Sequence, residues 1–179
     1  MLARLGGLCQ GQKVLEVGCG RGVGTELIFD HFQAREVVAF DLDPDMVASA
    51  RRRLMPLSDA GRLTLGVGDL TRIDAADSSF DAVFDFGVVH HVPDWRRALS
   101  EVARVLRPGG RFFFEEVTRH ALDRWSYRTF LDHPREDRFS ADELVAELER
   151  CGIIVGNNQV RRFFGDFVIG VGRANRVEA

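Results

Sequence analysis

The 179-residue chain is poor in several things at once, and each shortage removes a class of function. It has a single lysine, Lys13; every other basic side chain is arginine, which reads as codon bias rather than chemistry. With 24 Lys+Arg against 27 Asp+Glu the formal charge is −3, so no global field draws in nucleic acid or an anionic surface. The three cysteines, Cys9, Cys19 and Cys151, are scattered, odd in number and contain no CxxC pair. Neither a disulfide framework nor a zinc site is suggested, no metal is expected, and a reducing, cytoplasmic setting is the default. No apolar run is long enough to span a bilayer, and the N-terminal Met1–Cys9 stretch lacks the pattern of a signal peptide. Repeats, linkers and low-complexity segments are missing too.

What is present is an ordinary globular balance, 45% hydrophobic and 28% charged, at a length that suits one domain over residues 1–179. Apolar runs alternate with amphipathic stretches. Strands are expected at Lys13–Val17, Glu36–Asp41, Arg62–Val67, Phe80–Phe86 and Arg111–Val117. Between them lie helices at Thr25–Phe32, from the Asp43-Pro44 cap to Leu54, and from Asp94 along the stripe Trp95, Ala98, Leu99, Val102, Val105 and Leu106. Such alternation builds a parallel sheet covered on both faces. After Val117 the rhythm changes. His120–Leu131 has the spacing of a helix, and Ser140 to Glu143 forms a capping box for another. Ile153–Arg161 and Phe163–Val171 read as two closing antiparallel strands.

The most informative segment follows the first strand: Val14, Leu15, Glu16, Val17, Gly18, Cys19, Gly20, Arg21, Gly22, Val23, Gly24. Four glycines at alternate positions between a strand and a helix allow a sharp turn and close approach of a ligand to backbone. The dinucleotide spacing G-x-G-x-x-G fails, since its third glycine would fall on Val23 or Thr25. An acid at the strand end, Glu16, would repel a diphosphate and suits a ligand with a cationic part.

This pattern resembles the class I S-adenosylmethionine-dependent methyltransferases, whose first motif is a hydrophobic pair, an acid, a hydrophobic residue and G-x-G-x-G. The resemblance runs from about Lys13 to Val117. It implies a three-layer Rossmann-like α/β sandwich, with a mostly parallel seven-stranded sheet, an antiparallel C-terminal strand and helices on both faces. It implies S-adenosyl-L-methionine as cofactor and S-adenosyl-L-homocysteine as product, held by Glu16, Gly18, Cys19, Gly20, Gly22, Asp41, Leu42, Asp69, Leu70 and Phe86. Asp41 ends the second strand, where a carboxylate can accept both ribose hydroxyls. By resemblance Leu42 packs on the adenine, Asp69 accepts the adenine amino group with help from the Leu70 backbone, and Phe86 lines the methionine side. The run from Arg104 to Arg111 is the family's structural helix–turn–strand signature.

For the acceptor, Val89-His90-His91-Val92-Pro93-Asp94 resembles the subgroup of ubiquinone/menaquinone C-methyltransferases and many small-molecule O- and C-methyltransferases. A small organic acceptor is implied. The alternatives are a protein or RNA docked on the open cofactor face, or a non-catalytic cofactor-binding protein. Nucleic acid is disfavoured: no basic arm or aromatic-interleaved patch exists, and Arg51-Arg52-Arg53 reads as a solvated helix side. His90, His91 and Glu115 are the candidate bases; the alternative for each histidine, and the commoner role in the subgroup, is a packing or capping residue. Of Glu115 and Glu116, alternation sends one to the pocket.

The first strand begins too early for the helical N-terminal cover usual in that subgroup. Either a lid or insert at 118–139, carrying Trp125, Tyr127, Phe130 and His133, or a second subunit of a homo-oligomer closes the site, or a lid is absent. Replacing Trp125, Tyr127 and Phe130 together with Ala is expected to raise the acceptor KM or lower kcat while adenosylhomocysteine affinity holds. Kinetics, a melting curve and a binding isotherm check this. Joint loss of thermal stability and cofactor binding would show that the aromatics only pin the segment.

Overall fold

The protein is described by a computed structural model covering residues 1–122 and 137–175. Eight strands form one sheet: β1 Lys13–Val17, β2 Glu36–Asp41, β3 Leu63–Val67, β4 Phe80–Phe86, β5 Leu106–Val117, β6 Ile153–Ile154, β7 Gln159–Arg162 and β8 Phe167–Ala174. The order is β3-β2-β1-β4-β5-β8-β6, with β7 also on β8. Pairings among β1 to β5 are parallel; β8 runs antiparallel to β5, β6 and β7. The order reverses between β1 and β4, and the crevice at such a reversal is where open α/β sheets bind ligands.

Among the described residues the helices are α1 Leu2–Gly6, α2 Val23–Phe32, α3 Pro44–Arg53, α4 Met55–Asp59, α5 Trp95–Val105, α6 Arg119–Leu122 and α7 Ala141–Arg150. Two cores cover the two sheet faces. Trp95, Leu99 and Val102 of α5 and Leu144 and Leu148 of α7 pack with Leu15, Val83, Phe112 and Phe114. Ile28, Phe29 and Phe32 of α2 and Ala50 of α3 pack on the other face with Val14, Phe84 and Phe113. Phe84 and Phe113 stack at 4.4 Å between ring centroids. The expected three layers are present.

The caps fall where the residue types place them. Asp43 accepts from the Asp45 N–H at 2.8 Å with Pro44 in the first turn, and Ser140 and Glu143 form the reciprocal capping box. Within the Arg104–Arg111 signature, Arg104 donates to Glu101, to Asp77 and to the Ile73 and Ala75 carbonyls, fastening the loop before β4.

Three expectations need correction. The closing strand expected at Ile153–Arg161 is split into β6 and β7, so the sheet has eight strands rather than seven. Gly156 takes a left-handed φ of 53° and the Asn158 N–H donates to the Val155 carbonyl, making a turn in mid-run. The last strand starts at Phe167 rather than Phe163, because Thr118 captures the Gly165 and Asp166 carbonyls and holds that stretch as a turn. The N-terminal segment, given no element from sequence, carries α1. It is fastened by Arg111, which donates to the Gly6 and Leu8 carbonyls and to Gln12 Oε1. Of the 118–139 insert, Trp125, Tyr127, Phe130 and His133 lie outside the described residues. At its end, Phe139 is buried against Trp95, ring centroids 5.0 Å apart.

Candidate active site

The site is built at the carboxyl ends of β1 to β5. The chain leaves β1 through Gly18, Gly20 and Gly22, all with positive φ. Two of these glycines show why no side chain fits. A Cβ on Gly18 would run into Val88, which comes from the far side of the sheet reversal. A Cβ on Gly20 would meet no protein atom and would stand in the open cleft, where backbone has to approach a ligand. Gly22 then caps α2 in the left-handed conformation.

Two cavities meet at Gly18. One, of about 400 Å³, is lined by Phe40, Asp41, Leu42, Gly68, Asp69, Leu70, Val88, His91 and Pro93 among others. The second, of about 570 Å³, is lined by Glu16, Cys19, Gly20, Arg21, Val23, Leu27, Phe86, His90, Glu115, Val117 and Phe167 among others. Every residue named from sequence as cofactor-binding or catalytic, except Gly22, lines one of the two. Gly22 lies buried behind the loop against Leu54.

Asp41 is spoken for on both oxygens. Oδ2 accepts from the Gly20 N–H at 2.8 Å and Oδ1 from the Asp43 N–H at 3.0 Å. The carboxylate therefore sets the glycine loop and the start of α3 before any ligand arrives, and its remaining lone pairs are available to a diol. Asp69 Oδ1 accepts from the Thr71 N–H and hydroxyl, both at 2.8 Å, which fixes an Asx turn and leaves Oδ2 for a donor. Leu42 is 71% exposed with the cavity on one side, as a platform for a flat ring would be. Leu70 is buried in the core, so its contribution there is backbone.

Glu16 differs from the expectation of a negative charge facing the ligand. It is buried behind Gly24, and Oε2 accepts from the Thr25 hydroxyl. Burial pushes its carboxyl up to about 8, against the hydrogen bond from Thr25 and helped by nearby Asp41. At neutral pH it is a protonated, neutral group that ties the end of β1 to α2. Cys19 is likewise buried, its thiol pushed up to about 12, and is inert as a nucleophile.

Of the two acids ending β5, Glu115 faces the second cavity and Glu116 turns inward, fully buried. Glu116 Oε1 accepts from the Val89 N–H at 2.7 Å; Oε2 accepts from the His90 N–H at 3.3 Å and meets His90 Nδ1 at 2.6 Å. Asp85, also fully buried, accepts from the Val88 N–H at 2.9 Å. Burial raises both carboxyls, Glu116 to about 7, and lowers the imidazole of His90. His90 is thus a neutral imidazole held by a buried acid at the cavity wall, and His91 lies 4.1 Å from it, ring to ring, over the first cavity. Sequence reasoning missed Asp85 and Glu116 as site-builders. The available signal was an acid inside each of two strands otherwise apolar enough to be buried.

The donor set fits S-adenosylmethionine. Asp41 and Asp69 sit at successive strand ends beside an apolar ring platform, and an open glycine backbone connects to a second, largely apolar cavity. Comparison with known families matches residues 15–114 to a family described as Methyltransferase domain. The chain belongs to this family. A probable S-adenosylmethionine-dependent methyltransferase of Mycolicibacterium smegmatis is 40% identical over 154 residues, which are 85% of this chain and 56% of that protein. A fatty-acid O-methyltransferase of the same species is 35% identical over 126 residues, 70% of this chain and 44% of that protein. The chain spans about half the length of these curated relatives. Among solved structures, an S-adenosylmethionine-dependent methyltransferase from Mesorhizobium loti shares the fold at TM-score 0.74 and 21% identity, over 96% of this chain and 95% of that one. N-methyltransferase NodS from Bradyrhizobium japonicum, in complex with S-adenosylhomocysteine, does so at TM-score 0.74 and 20% identity, over 97% of this chain and 83% of that one.

Two outcomes are expected. Asp41→Ala removes the anchor of the Gly20 N–H as well as the carboxylate expected to accept the ribose hydroxyls. It should weaken adenosylhomocysteine binding by about 1.5–3 kcal/mol per charged hydrogen bond lost, measured by calorimetry, with the protein still folded. Wild-type affinity would make Asp41 a structural cap only.

Glu16 titrates near its ordinary value when unfolded and near 8 when folded. Between those values the unfolded chain has released a proton that the folded chain keeps, so stability falls as pH rises. Glu16→Gln removes that term. Its melting temperature should match wild type near pH 4.5 and exceed it by about 5 °C or more near pH 8. A constant difference across this range would refute the burial argument.

Proposed function

We propose that the protein transfers a methyl group from S-adenosyl-L-methionine to a small, apolar organic acceptor. The observation that carries this reading is the pair of cavities joined at Gly18, one acid-lined beside an exposed apolar platform, the other walled by Val23, Leu27, Phe86, Val117 and Phe167. The first suits a ribose and adenine, the second an acceptor with little polarity. When bound, the cofactor supplies an electrophilic methyl group on a sulfonium. The rest falls to this chain's residues. Asp41 and Asp69 fix the nucleoside end. The glycine loop lets backbone approach without side-chain obstruction. The apolar wall orients the acceptor and limits water, so that rate comes mainly from placement.

The acceptor belongs to the small-molecule class served by the ubiquinone/menaquinone C-methyltransferase-like subgroup, on the Val89–Asp94 segment. Two relatives point the same way by name: the fatty-acid O-methyltransferase, and a phthiotriol/phenolphthiotriol dimycocerosates methyltransferase of Mycobacterium tuberculosis, 34% identical over 108 residues. If the acceptor must lose a proton, His90 is the base. Glu116 Oε2, 2.6 Å from His90 Nδ1, orients the ring at the cavity wall, and burial keeps the ring neutral. Glu115 and His91 border the cavities as polar contacts to ligand. Three free cysteines suit a reducing, cytoplasmic location.

The test combines calorimetry with a transfer assay. S-adenosylmethionine and S-adenosylhomocysteine are expected to bind one per chain and NADH not at all. Methyl-labelled cofactor incubated with a host metabolite extract is expected to label a small apolar product. His90→Gln should lower kcat with little change in cofactor affinity. NADH binding without heat from adenosylmethionine would overturn the assignment; label appearing only in protein or RNA would overturn the acceptor class.

A further inference from the structure

The turn between β7 and β8, Phe163–Gly165, has a conformation that its residues do not choose by themselves. Phe163 and Phe164 both take left-handed backbone, φ 50° and 60°, where a bulky side chain is a costly outlier and glycine or asparagine would sit without strain. The two rings are not repaid by burial: Phe163 is 72% exposed and Phe164 97%. Nor is the turn loose. The Thr118 hydroxyl donates to the Gly165 carbonyl at 2.6 Å and the Thr118 N–H to the Asp166 carbonyl at 2.9 Å. Asp166 is buried and meets His120 Nδ1 at 2.7 Å. The chain thus holds two adjacent phenyl rings outward on a rigid support.

Their location is equally specific. Phe167 pairs with Val117 at the carboxyl end of β5, so the turn emerges on the same edge as the cleft. The Phe163 ring stands edge-on to Phe167, centroids 5.9 Å apart, and Phe167 is part of the wall of the second cavity. Val23 and Leu27, on the opposite wall, are 52% and 40% exposed. Two exposed arginines flank this apolar rim: Arg162 directly before the turn, and Arg21 on the glycine loop. Among the described residues neither has an ion pair. Asp142 is engaged by Arg161, Glu143 by Arg119 and Asp166 by His120, while Glu115 lies within the cavity.

We propose that the Phe163–Phe164 turn, with Arg162 and Arg21, is a membrane-surface anchor that seats the mouth of the cleft on a bilayer bearing anionic headgroups. A convex prong of two rings suits insertion among acyl chains, with arginines at the depth of the phosphates. It does not suit a stable second copy. Two phenyl groups bury about 300–500 Å² at about 150–250 Å² each, short of the roughly 800 Å² per partner that specific interfaces bury. The proposal does not depend on the acceptor, because the anchor is read out by binding alone.

The experiment is co-sedimentation of the 179-residue chain with vesicles of phosphatidylcholine, alone or mixed with phosphatidylglycerol, alongside sedimentation velocity without lipid. The wild-type chain is expected to bind the mixed vesicles, and the neutral ones more weakly. The Phe163→Ser, Phe164→Gly double variant should lose about tenfold or more of the partition coefficient. Its melting temperature should hold or rise, because a strained position has been relieved. Arg162→Glu should reduce the preference for anionic lipid. Failure of the wild-type chain to bind either vesicle would overturn the proposal. Unchanged binding of the double variant would do the same, as would a fall in its melting temperature by several degrees. A dimer dissociated by Phe164→Gly would also overturn it, by making the rings a subunit contact.

Discussion

Loops that leave the carboxyl edge of a parallel sheet carry N–H groups that no strand can satisfy, and a buried N–H without an acceptor is costly. In this protein buried carboxyl groups answer that demand. Glu16 ends β1 and takes the Thr25 hydroxyl; Asp85 on β4 takes the Val88 N–H; Glu116 on β5 takes the N–H groups of Val89 and His90. The partly exposed Asp41 extends the row onto β2 by holding Gly20 and Asp43. Of four neighbouring strands, β2, β4 and β5 carry an acid that grips loop N–H groups, and on β1 Glu16 ties the strand to α2. Remove the grip and the cleft walls lose their fixed shape.

The cost of the arrangement is electrostatic. Three of the four acids are almost wholly removed from water, and their carboxyls are raised as a result. Raised values lessen the negative charge these groups carry beneath the cleft. The charge that a cationic ligand meets is therefore concentrated on the exposed acids, Asp41 and Asp69 in one cavity and Glu115 in the other. Loop-holding and ligand-facing roles are divided by burial among residues of one chemical type.

The cleft also explains the asymmetry of the molecule. On the nucleoside side the walls are turns and caps made by local residues: the Asp43 cap of α3 and the Asx turn at Asp69. The second cavity is walled by elements from distant parts of the chain, α2, β4, β5 and β8. Its charged and polar members, Glu16, Arg21, His90 and Glu115, come from the ends of β1, β4 and β5.

Much of this was legible from residue order. Strand–helix alternation, the Gly18–Gly22 loop, the Asp43 and Ser140 caps and the acids at strand ends are local signals, each decided by backbone preferences within a few residues. The placement of Asp41 beside Gly20 could be anticipated because β1 and β2 are parallel neighbours with simple register. Tertiary structure decided what depends on which face a side chain takes and on what lies beneath it. Alternation along β5 showed that one of Glu115 and Glu116 faces the cavity, but only packing made the other a buried support for His90. Glu16 looked like a charge for the ligand; its enclosure behind Gly24 made it a neutral tie, because desolvation outweighs the hydrogen bond that would favour its ionised form. The closing strand divided because a left-handed turn at Gly156 and the reach of Thr118 to the next loop redirected the chain. Contacts so far apart in sequence leave no periodic trace for a linear reading to follow.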